Sequence, residues 1–266
     1  MVINDILDTS ADYVLRLKAA GLFVVNFEDF GPGIKYADLV INALYSDPLP
    51  GPRHLSGPDY VCLRDEFFSV PPKRLRPEVR RVLVTFGGVD IANLTAKVLR
   101  ALERVPYDFT VTCILSPGYS HTDELRKLVA SLSRHVIMKR NIRSMSEEIY
   151  RADLVFTSAG RTVYEIASVG VPCVVLAQNA REMTHMFASS ANGIVNLGLG
   201  ADVSEEQISQ VTQELIEDFS TRQEMQRRML STDLREGINR VIDAIFRIYR
   251  TFESQIHKKG IEYAMD

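Results

Sequence analysis

Residues 157–165, which read Thr-Ser-Ala-Gly-Arg-Thr-Val-Tyr-Glu, place a turn of small residues directly after the apolar run 153–156. A Gly-Val-Pro sequence at 170–172 leads into another apolar run, so the pattern predicts a strand, a turn, a short helix and a second strand. Backbone N–H groups at the start of such a helix lack intrahelical partners and attract phosphate. Glu165 lies one turn into the helix, where a carboxylate can hold ribose or sugar hydroxyls. The segment therefore predicts half of a nucleotide-sugar site.

A second glycine turn, Thr85 to Asp90, follows the apolar run 82–86. Gly87 and Gly88 allow the backbone to approach a ligand closely and to adopt positive φ. Asp90 either caps the following helix or contacts a ligand, and such a turn equally serves sheet-to-helix packing. The turn is not GxGxxG, which argues against nicotinamide binding, and the absence of GxxxxGK[ST] excludes a P-loop.

Both glycine turns follow strands of one predicted parallel sheet, and the carboxyl ends of parallel strands meet at one edge, where ligands bind. A third loop, 177–185, follows the next apolar strand and contains Gln178, Asn179, Arg181, Glu182 and His185. One interpretation of this loop is a capped helix with solvated charges. The density of polar residues favours the other interpretation, in which the loop lines the site.

Strand-like and helix-like segments alternate along residues 83–200, which predicts a parallel sheet covered by helices on both faces. The predicted strands are 82–86, 109–115, 135–138, 153–157, 173–176 and 194–196. The predicted helices are 93–102, 122–132, 145–151, 161–168 and 181–191, followed by one that begins at a capping box at Ser204, one over 222–230 and one over 237–257. The apolar stripe of the last helix favours packing across the two halves of the protein over membrane binding, because its polar face is mixed rather than basic.

The first 80 residues depart from this regular pattern. Loops rich in glycine and proline are predicted at 31–33 and 48–58, and proline-rich residues 71–77 predict a linker. Short strands are predicted at 23–27, 39–42 and 60–63. The sequence thus predicts a partial α/β domain over 1–75, a nucleotide-sugar-binding domain over 76–235, and a C-terminal helical segment over 236–266.

The 266 residues carry a net charge of -3 with the signs interleaved, so nucleic acid is not an expected partner. No window approaches the ~20 apolar residues that a membrane span requires. The three cysteines, Cys62, Cys113 and Cys173, lie in apolar runs without CxxC spacing, which predicts core residues rather than a metal or redox site. We expect no metal and no cofactor. An odd number of cysteines without a signal peptide fits a reducing cytoplasm, where we expect the protein to act.

Taken in order, several segments of the chain resemble GT-B nucleotide-sugar enzymes, in particular the family of the UDP-sugar hydrolase of pseudaminic acid biosynthesis and the spore-coat polysaccharide biosynthesis proteins. These segments are 31–42, 57–67, 85–90, 152–155, 158–165, 170–172 and 178–185. Their combination carries the likeness, which covers most of the chain. The resemblance implies a GT-B-like α/β fold in which a Rossmann-like C-terminal domain with a parallel sheet binds a UDP-sugar.

The similarity extends to the peptidoglycan N-acetylglucosaminyltransferase and implies individual roles. Glu165 matches the ribose-binding glutamate, and Thr162 matches a threonine on the pyrophosphate side. Backbone near Ile142 matches the uracil contact, and the loop that begins at Gln178 matches the one that reaches the donor sugar. Such a site needs no metal, because helix N-termini hold the phosphates. The binding residues expected from these positions are Gly87, Gly88, Asp90, Ile142, Ser158, Gly160, Arg161, Thr162, Glu165, Gln178, Asn179, Arg181 and Glu182.

One segment of the family pattern is missing. These enzymes begin with a Gly-x-Gly-His-x-x-Arg turn whose histidine is the expected catalytic group, and no such segment occurs here. The resemblance therefore implies an incomplete N-terminal α/β domain, in a truncated product, a fragment, or one part of a split or fused protein. A partner chain or domain would then supply the missing turn. Within this chain, His185 is the candidate general base.

The leading hypothesis is a UDP-sugar hydrolase or glycosyltransferase relative in surface polysaccharide or nonulosonic acid biosynthesis. Water or an acceptor hydroxyl would attack the anomeric carbon, and the helices after Gly88 and Gly160 would stabilise the departing diphosphate. The alternative is a non-catalytic nucleotide-sugar-binding module. A purely structural α/β domain is a third hypothesis, against which the polar loop 178–185 argues.

Overall fold

The computed structural model describes residues 1–45 and 53–262, with side chains as far as residue 254. The described strands are β1 Val2–Asp5, β2 Val24–Phe27, β3 Leu39–Asn42, β4 His54–Ser56, β5 Arg81–Val84, β6 Thr110–Leu115, β7 Val136–Arg140, β8 Leu154–Thr157, β9 Cys173–Ala177 and β10 Val195–Leu199. The described α-helices are α1 Ala11–Ala19, α2 Leu94–Glu103, α3 Thr122–Ser131, α4 Met145–Arg151, α5 Thr162–Val169, α6 Glu205–Glu217, α7 Phe219–Met229 and α8 Gly237–Glu262. Met1–Cys62 and Leu234–Asp266 together form one compact unit, and Leu63–Asp233 form a larger one.

The smaller unit is built on a four-stranded parallel sheet in the order β1-β2-β3-β4. Apolar residues from the middle of this sheet pack against one face of α8. The buried side chains of this core are Phe23, Val25, Leu39, Ile41, Val241 and Ile245. At the start of α8, a Cβ on Gly237 would stand 2.0 Å from the carbonyl oxygen of Val61, so only glycine fits there. The last helix therefore completes the core of the unit that the first residues begin.

The larger unit is built on a six-stranded parallel sheet in the order β10-β9-β8-β5-β6-β7. Every residue of β8 and β9 is buried, which explains why these strands are apolar except for Thr157 rather than alternating. From β5 the chain moves outward through β6 and β7, then returns to β8 on the other side of β5 and continues to β10. The boundary between β5 and β8 is thus the switch point of the sheet. The predicted α/β, Rossmann-like fold is confirmed.

Residues 63–75 belong to the larger unit, so the chain divides after Cys62 and after Asp233 rather than at residues 75 and 235. The backbone N–H of Lys73 donates to Val169 O at 2.7 Å, and its carbonyl accepts from Gln226 Nε2 at 2.7 Å. These bonds hold the proline-rich segment on the larger unit, whereas its composition suggests a linker. Helix α8 packs on the smaller sheet, and its packing across both halves stays a prediction.

The structure corrects two predicted elements. Residues 181–191, predicted as one helix, form two short 3₁₀ helices, Glu182–Thr184 and Ser190–Asn192, because the Glu182 carboxylate turns back onto the end of β9. Residues 60–63 were predicted as a strand, but Tyr60 ends a 3₁₀ helix at Pro58–Tyr60, and residues 61–63 pair with no strand of the described chain. The elements β1, α1 and β4 were not predicted. Strand β4 falls within the predicted loop 48–58, of which residues 48–52 lie outside the described residues.

Candidate functional site

The loops after β5 and β8 leave the sheet side by side. The two strands pair in parallel, with Val84 opposite Phe156, so their carboxyl ends lie at the same edge. The predicted placement of Gly88 and Gly160 at one edge of one sheet is therefore confirmed. In open α/β sheets the loops diverge at such a switch point, and ligands bind in the resulting crevice.

The loop after β5 is open on the side of its glycines. Gly87 has a φ of +71°, a left-handed conformation that glycine adopts without strain. A Cβ on Gly87 or on Gly88 would meet no atom of the described residues within 4 Å. The carbonyl oxygen of Phe86 accepts a hydrogen bond from Gln178 Nε2 at 2.6 Å, which ties this turn to the loop after β9. The backbone is thus held in place while the glycines face open space.

Asp90 caps helix α2. Its Oδ1 accepts from Leu94 N at 2.7 Å and its Oδ2 from Thr95 N at 3.0 Å, and the residue is buried. Capping is one of the two roles that the sequence leaves open for Asp90. Since a carboxylate already occupies the start of α2, a phosphate there would meet like charge. The structure therefore argues against a diphosphate held by the helix after Gly88.

No side chain among the described residues caps the start of helix α5. Its N-cap residue, the exposed Arg161, makes no capping hydrogen bond, and Thr162 is half-buried. A Cβ on Gly160 would contact Ser158 Oγ at 3.7 Å and Glu182 Oε1 at 3.9 Å, which are ordinary contacts. The uncapped start of a helix carries partial positive charge and attracts phosphate. Of the two predicted diphosphate-binding helices, α5 is the one whose first N–H groups do not bond to a carboxylate of the described residues.

The carboxylate of Glu182 folds back onto the loop after β8. Its Oε2 accepts from Gln178 N at 2.8 Å and from Ala159 N at 3.3 Å, which bridges the ends of β9 and β8. Asn179 Oδ1 accepts from Glu182 N at 3.1 Å and so starts the 3₁₀ helix. Arg181 is exposed. Of the two interpretations of this polar loop, the one in which its side chains cap local structure therefore describes Asn179 and Glu182. Their side chains form hydrogen bonds within the loops rather than pointing freely into the crevice.

His185 is buried against the same loop, with 8% of its surface exposed. Its Nδ1 lies 2.7 Å from the carbonyl oxygen of Ala159. Because a carbonyl oxygen only accepts, Nδ1 carries the proton and Nε2 carries the lone pair of the neutral ring. Nε2 is therefore the basic nitrogen of the neutral ring, and this atom is buried in the structure. The structure thus brings the candidate base next to the turn that precedes α5.

Glu165 is buried on α5 and paired with Arg64. Arg64 Nε donates to Glu165 Oε1 at 2.7 Å, and Arg64 Nη1 lies 3.0 Å from Glu66 Oε1. Burial raises the pKa of Glu165, and the hydrogen bond and charge of Arg64 oppose that rise. The sequence reasoning missed Arg64 as a site residue, because its partner lies 101 residues away along the chain. The only local signal is a charged Arg-Asp-Glu run at 64–66.

The turn predicted to contact uracil follows β7, two strands from β5 at the same carboxyl edge of the sheet. Asn141 adopts a φ of +50°, and Ile142 is half-buried. Ser144 then starts α4 by accepting a hydrogen bond from Glu147 N at 3.2 Å. The contact of Ile142 with a base stays a prediction, and its position at this edge is consistent with it.

The loops that carry the predicted binding residues therefore all lie at the carboxyl edge of one parallel sheet. A Rossmann-like sheet with an uncapped helix N-terminus and a buried carboxylate at its switch point is typical of nucleotide-binding domains. Residues 81–242 match the family described as the glycosyltransferase family 28 C-terminal domain. The match covers more than half of the chain, and the chain belongs to this family.

Two curated relatives extend the comparison. The chain is 33% identical over 195 residues to the uncharacterized protein MJ1062 of Methanocaldococcus jannaschii, a match that covers 67% of this chain and 40% of that protein. It is 28% identical over 218 residues to the spore coat polysaccharide biosynthesis protein SpsG of Bacillus subtilis, which covers 77% of this chain and 64% of SpsG. The chain thus spans less than two thirds of the length of each relative.

Solved structures show the same fold. MurG of Acinetobacter baumannii superposes with a TM-score of 0.65 at 17% identity, over 88% of this chain and 70% of MurG. HepE of Anabaena, in complex with UDP and glucose, gives a TM-score of 0.60 at 13% identity, over 88% of this chain and 74% of HepE. At such identities the likeness concerns the fold, which has glycosyltransferases as its neighbours. Among the described helices, none has the length and apolar character needed to cross a bilayer.

Proposed function

We propose that the larger unit binds a UDP-sugar at the carboxyl ends of β5 and β8, and that the chain is the nucleotide-sugar-binding part of a glycosyltransferase-like enzyme. One observation carries the proposal. The buried carboxylate of Glu165 lies one turn beyond the uncapped start of α5, at the switch point of the sheet. The partial positive charge at the start of the helix can bind a diphosphate, and the carboxylate one turn further can accept hydrogen bonds from the two ribose hydroxyls.

Each part of the nucleotide has a place in this proposal. The backbone from Ser158 to Gly160, with Arg161 and Thr162, would hold the diphosphate. Glu165 would accept hydrogen bonds from the ribose hydroxyls. The base would lie against the turn at Ile142, and the sugar would face the loop of Gln178, Asn179 and Arg181. HepE, which shares the fold, is in complex with UDP, and this supports the choice of uracil as the base.

The reaction would be displacement at the anomeric carbon. Water or an acceptor hydroxyl attacks that carbon, and its bond to the diphosphate oxygen breaks. The start of α5 stabilises the negative charge that develops on the departing diphosphate. His185 Nε2, which is buried in the structure, would accept the proton of the attacking hydroxyl once the loop after β9 moves to expose it. Attack by water makes the protein a UDP-sugar hydrolase of surface polysaccharide or nonulosonic acid biosynthesis, and attack by an acceptor makes it a glycosyltransferase.

A non-catalytic UDP-sugar-binding module is the second candidate. The burial of His185 and the bond between its Nδ1 and Ala159 O favour it, because both also suit a purely structural histidine. Turnover separates the candidates. Release of UDP from a UDP-sugar, lost in a His185→Ala variant that still binds UDP, supports catalysis. Binding without any turnover supports the module.

Calorimetry with UDP tests the shared claim of binding. We expect saturable heat with the folded protein, and a Glu165→Ala variant should lose ~1–3 kcal/mol of binding free energy, because ribose hydroxyls lose their acceptor. Glu124→Ala is the matched control, since that carboxylate lies on α3 with 61% of its side chain exposed. Absence of heat at about millimolar UDP, in a sample shown to be folded, rejects the proposal.

A further inference from the structure

Arg64 lies between two carboxylates at the proposed nucleotide site. Its Nε donates to Glu165 Oε1 at 2.7 Å, and its Nη1 lies 3.0 Å from Glu66 Oε1. The guanidinium carbon also lies 5.4 Å from the centre of the Phe67 ring. A planar guanidinium that is held by two anions and an aromatic ring has little freedom to change its orientation.

Glu66 is anchored in its turn. Its Oε2 accepts hydrogen bonds from Ser144 Oγ and from Ser146 N, both at 2.9 Å. Burial acts to raise the pKa of Glu66, but these hydrogen bonds and the charge of Arg64 lower it below its ordinary value. Glu66 is therefore held as a carboxylate, and a continuous set of polar contacts runs from the start of α4 through Glu66 and Arg64 to Glu165.

We propose that Arg64 is a positioning residue for nucleotide binding, which holds Glu165 by its Oε1 and leaves Oε2 to accept hydrogen bonds from the ribose hydroxyls. The inference rests on the proposed function, since it assigns ribose to Glu165. No described residue donates to Glu165 Oε2 in the structure. Glu66 contacts Arg64 through Nη1, the end of the guanidinium that does not contact Glu165. Arg64 is therefore held in place by a second carboxylate while its Nε bonds to Glu165.

The protonation of Glu165 gives this role a measurable consequence. Its carboxylate is buried on α5, and the charged groups that act on it are Arg64, Glu66 and Arg161. Burial raises the pKa of Glu165, and Arg64 is the principal group that opposes the rise. Without Arg64 the carboxyl takes up its proton at higher pH and then no longer offers two acceptor oxygens. As the pH is lowered, the variant without Arg64 should therefore begin to lose affinity for the ribose at a higher pH than the unmodified chain does.

The test compares UDP with uridine, which keeps the ribose and lacks the phosphates. Titrations by calorimetry or NMR between about pH 5 and pH 8 would use the unmodified chain, Arg64→Met, Arg64→Lys and Glu66→Gln. We expect Arg64→Met to lose about tenfold in affinity for both ligands near neutral pH, with its acid-side midpoint moved up by about one pH unit. Arg64→Lys should retain part of the affinity. Glu66→Gln loosens Arg64 but removes a negative charge that raises the pKa of Glu165, so it should lower affinity less and should not move the acid-side midpoint up.

Arg126→Met is the matched control, because that arginine pairs with Asp123 on the exposed face of α3. Circular dichroism and thermal unfolding confirm that each variant is folded, and Arg64→Lys carries the test should Arg64→Met not fold. A loss confined to UDP would place the guanidinium on the phosphates and overturn the positioning role. Unchanged affinity and an unchanged pH profile in the Arg64 variants would overturn it too, while leaving the proposed function intact. Failure of the unmodified chain to bind either ligand would reject both.

Discussion

The carboxylate of Glu182 lies beside Gly160, next to the turn that would hold a phosphate of the proposed ligand. Its Oε2 accepts from Gln178 N at 2.8 Å and from Ala159 N at 3.3 Å, and its Oε1 lies 3.9 Å from the position of a Cβ on Gly160. A Glu182→Gln variant keeps an amide oxygen to accept these N–H groups and removes the charge. We therefore expect Glu182→Gln to preserve the loop and to bind UDP more tightly.

The magnitude follows from the distances. Two unit charges about 5 Å apart interact by about 3 kcal/mol at an effective dielectric constant of about 20, and by less than about 1 kcal/mol in water. A phosphate seated at Gly160 would fall in this range of separation from Glu182, which is half-buried. Discounting for solvent, we expect a gain of about 1–2 kcal/mol, or about five- to thirtyfold in affinity.

Calorimetry with UDP and with uridine measures this gain. Affinity for UDP should rise in Glu182→Gln while affinity for uridine stays unchanged, and the gain should shrink at high salt. Glu124→Gln serves as the control for a change of net charge, because Glu124 is exposed on α3. Equal or weaker UDP binding by a folded Glu182→Gln variant would refute the reasoning and would place the diphosphate away from Gly160.

Two further predictions concern helix caps. Asp90→Ala should lower the free energy of unfolding by ~1–3 kcal/mol in urea denaturation, because Leu94 N and Thr95 N lose their buried acceptor. Asp90→Asn should lower it less. Equal stability of the unmodified chain and both variants would contradict the capping role of Asp90. Hydrogen bonds from Ser220 and Thr221 lower the pKa of Asp218 to about 2 from its ordinary 3.8. The contribution of Asp218 to stability is complete above the ordinary pKa of 3.8 and is lost as the pH falls towards 2. Asp218→Asn should therefore make stability, followed by circular dichroism, less dependent on pH between these two values. A pH profile identical to that of the unmodified chain would contradict this prediction.

Local sequence patterns predicted much of the larger unit. Helix α4 has its predicted bounds, and the capping box at Ser204 forms at the start of α6. The shared edge of Gly88 and Gly160 followed from the geometry of parallel strands alone. These features depend on residues close together in the chain, where spacing and residue type carry the information.

The rest of the site depends on contacts between distant residues. Arg64 and Glu165 are 101 positions apart, so no periodicity connects them. The adjacency of β5 and β8 depends on the order of strands in the sheet, which alternation of strands and helices does not specify. The polar composition of the loop after β9 indicated a site, but composition does not tell whether Glu182 points outward or bonds to Ala159 N.

The smaller unit draws its core from both ends of the chain, because Val241 and Ile245 of α8 pack on strands formed by the first 42 residues. During synthesis on the ribosome, those strands emerge long before the helix that covers them. The larger unit, Leu63–Asp233, is contiguous and can fold while the rest is being made. The nascent smaller sheet therefore keeps the apolar face that Val241 and Ile245 cover exposed until α8 has been synthesised, and during this interval that face is open to aggregation or to chaperones.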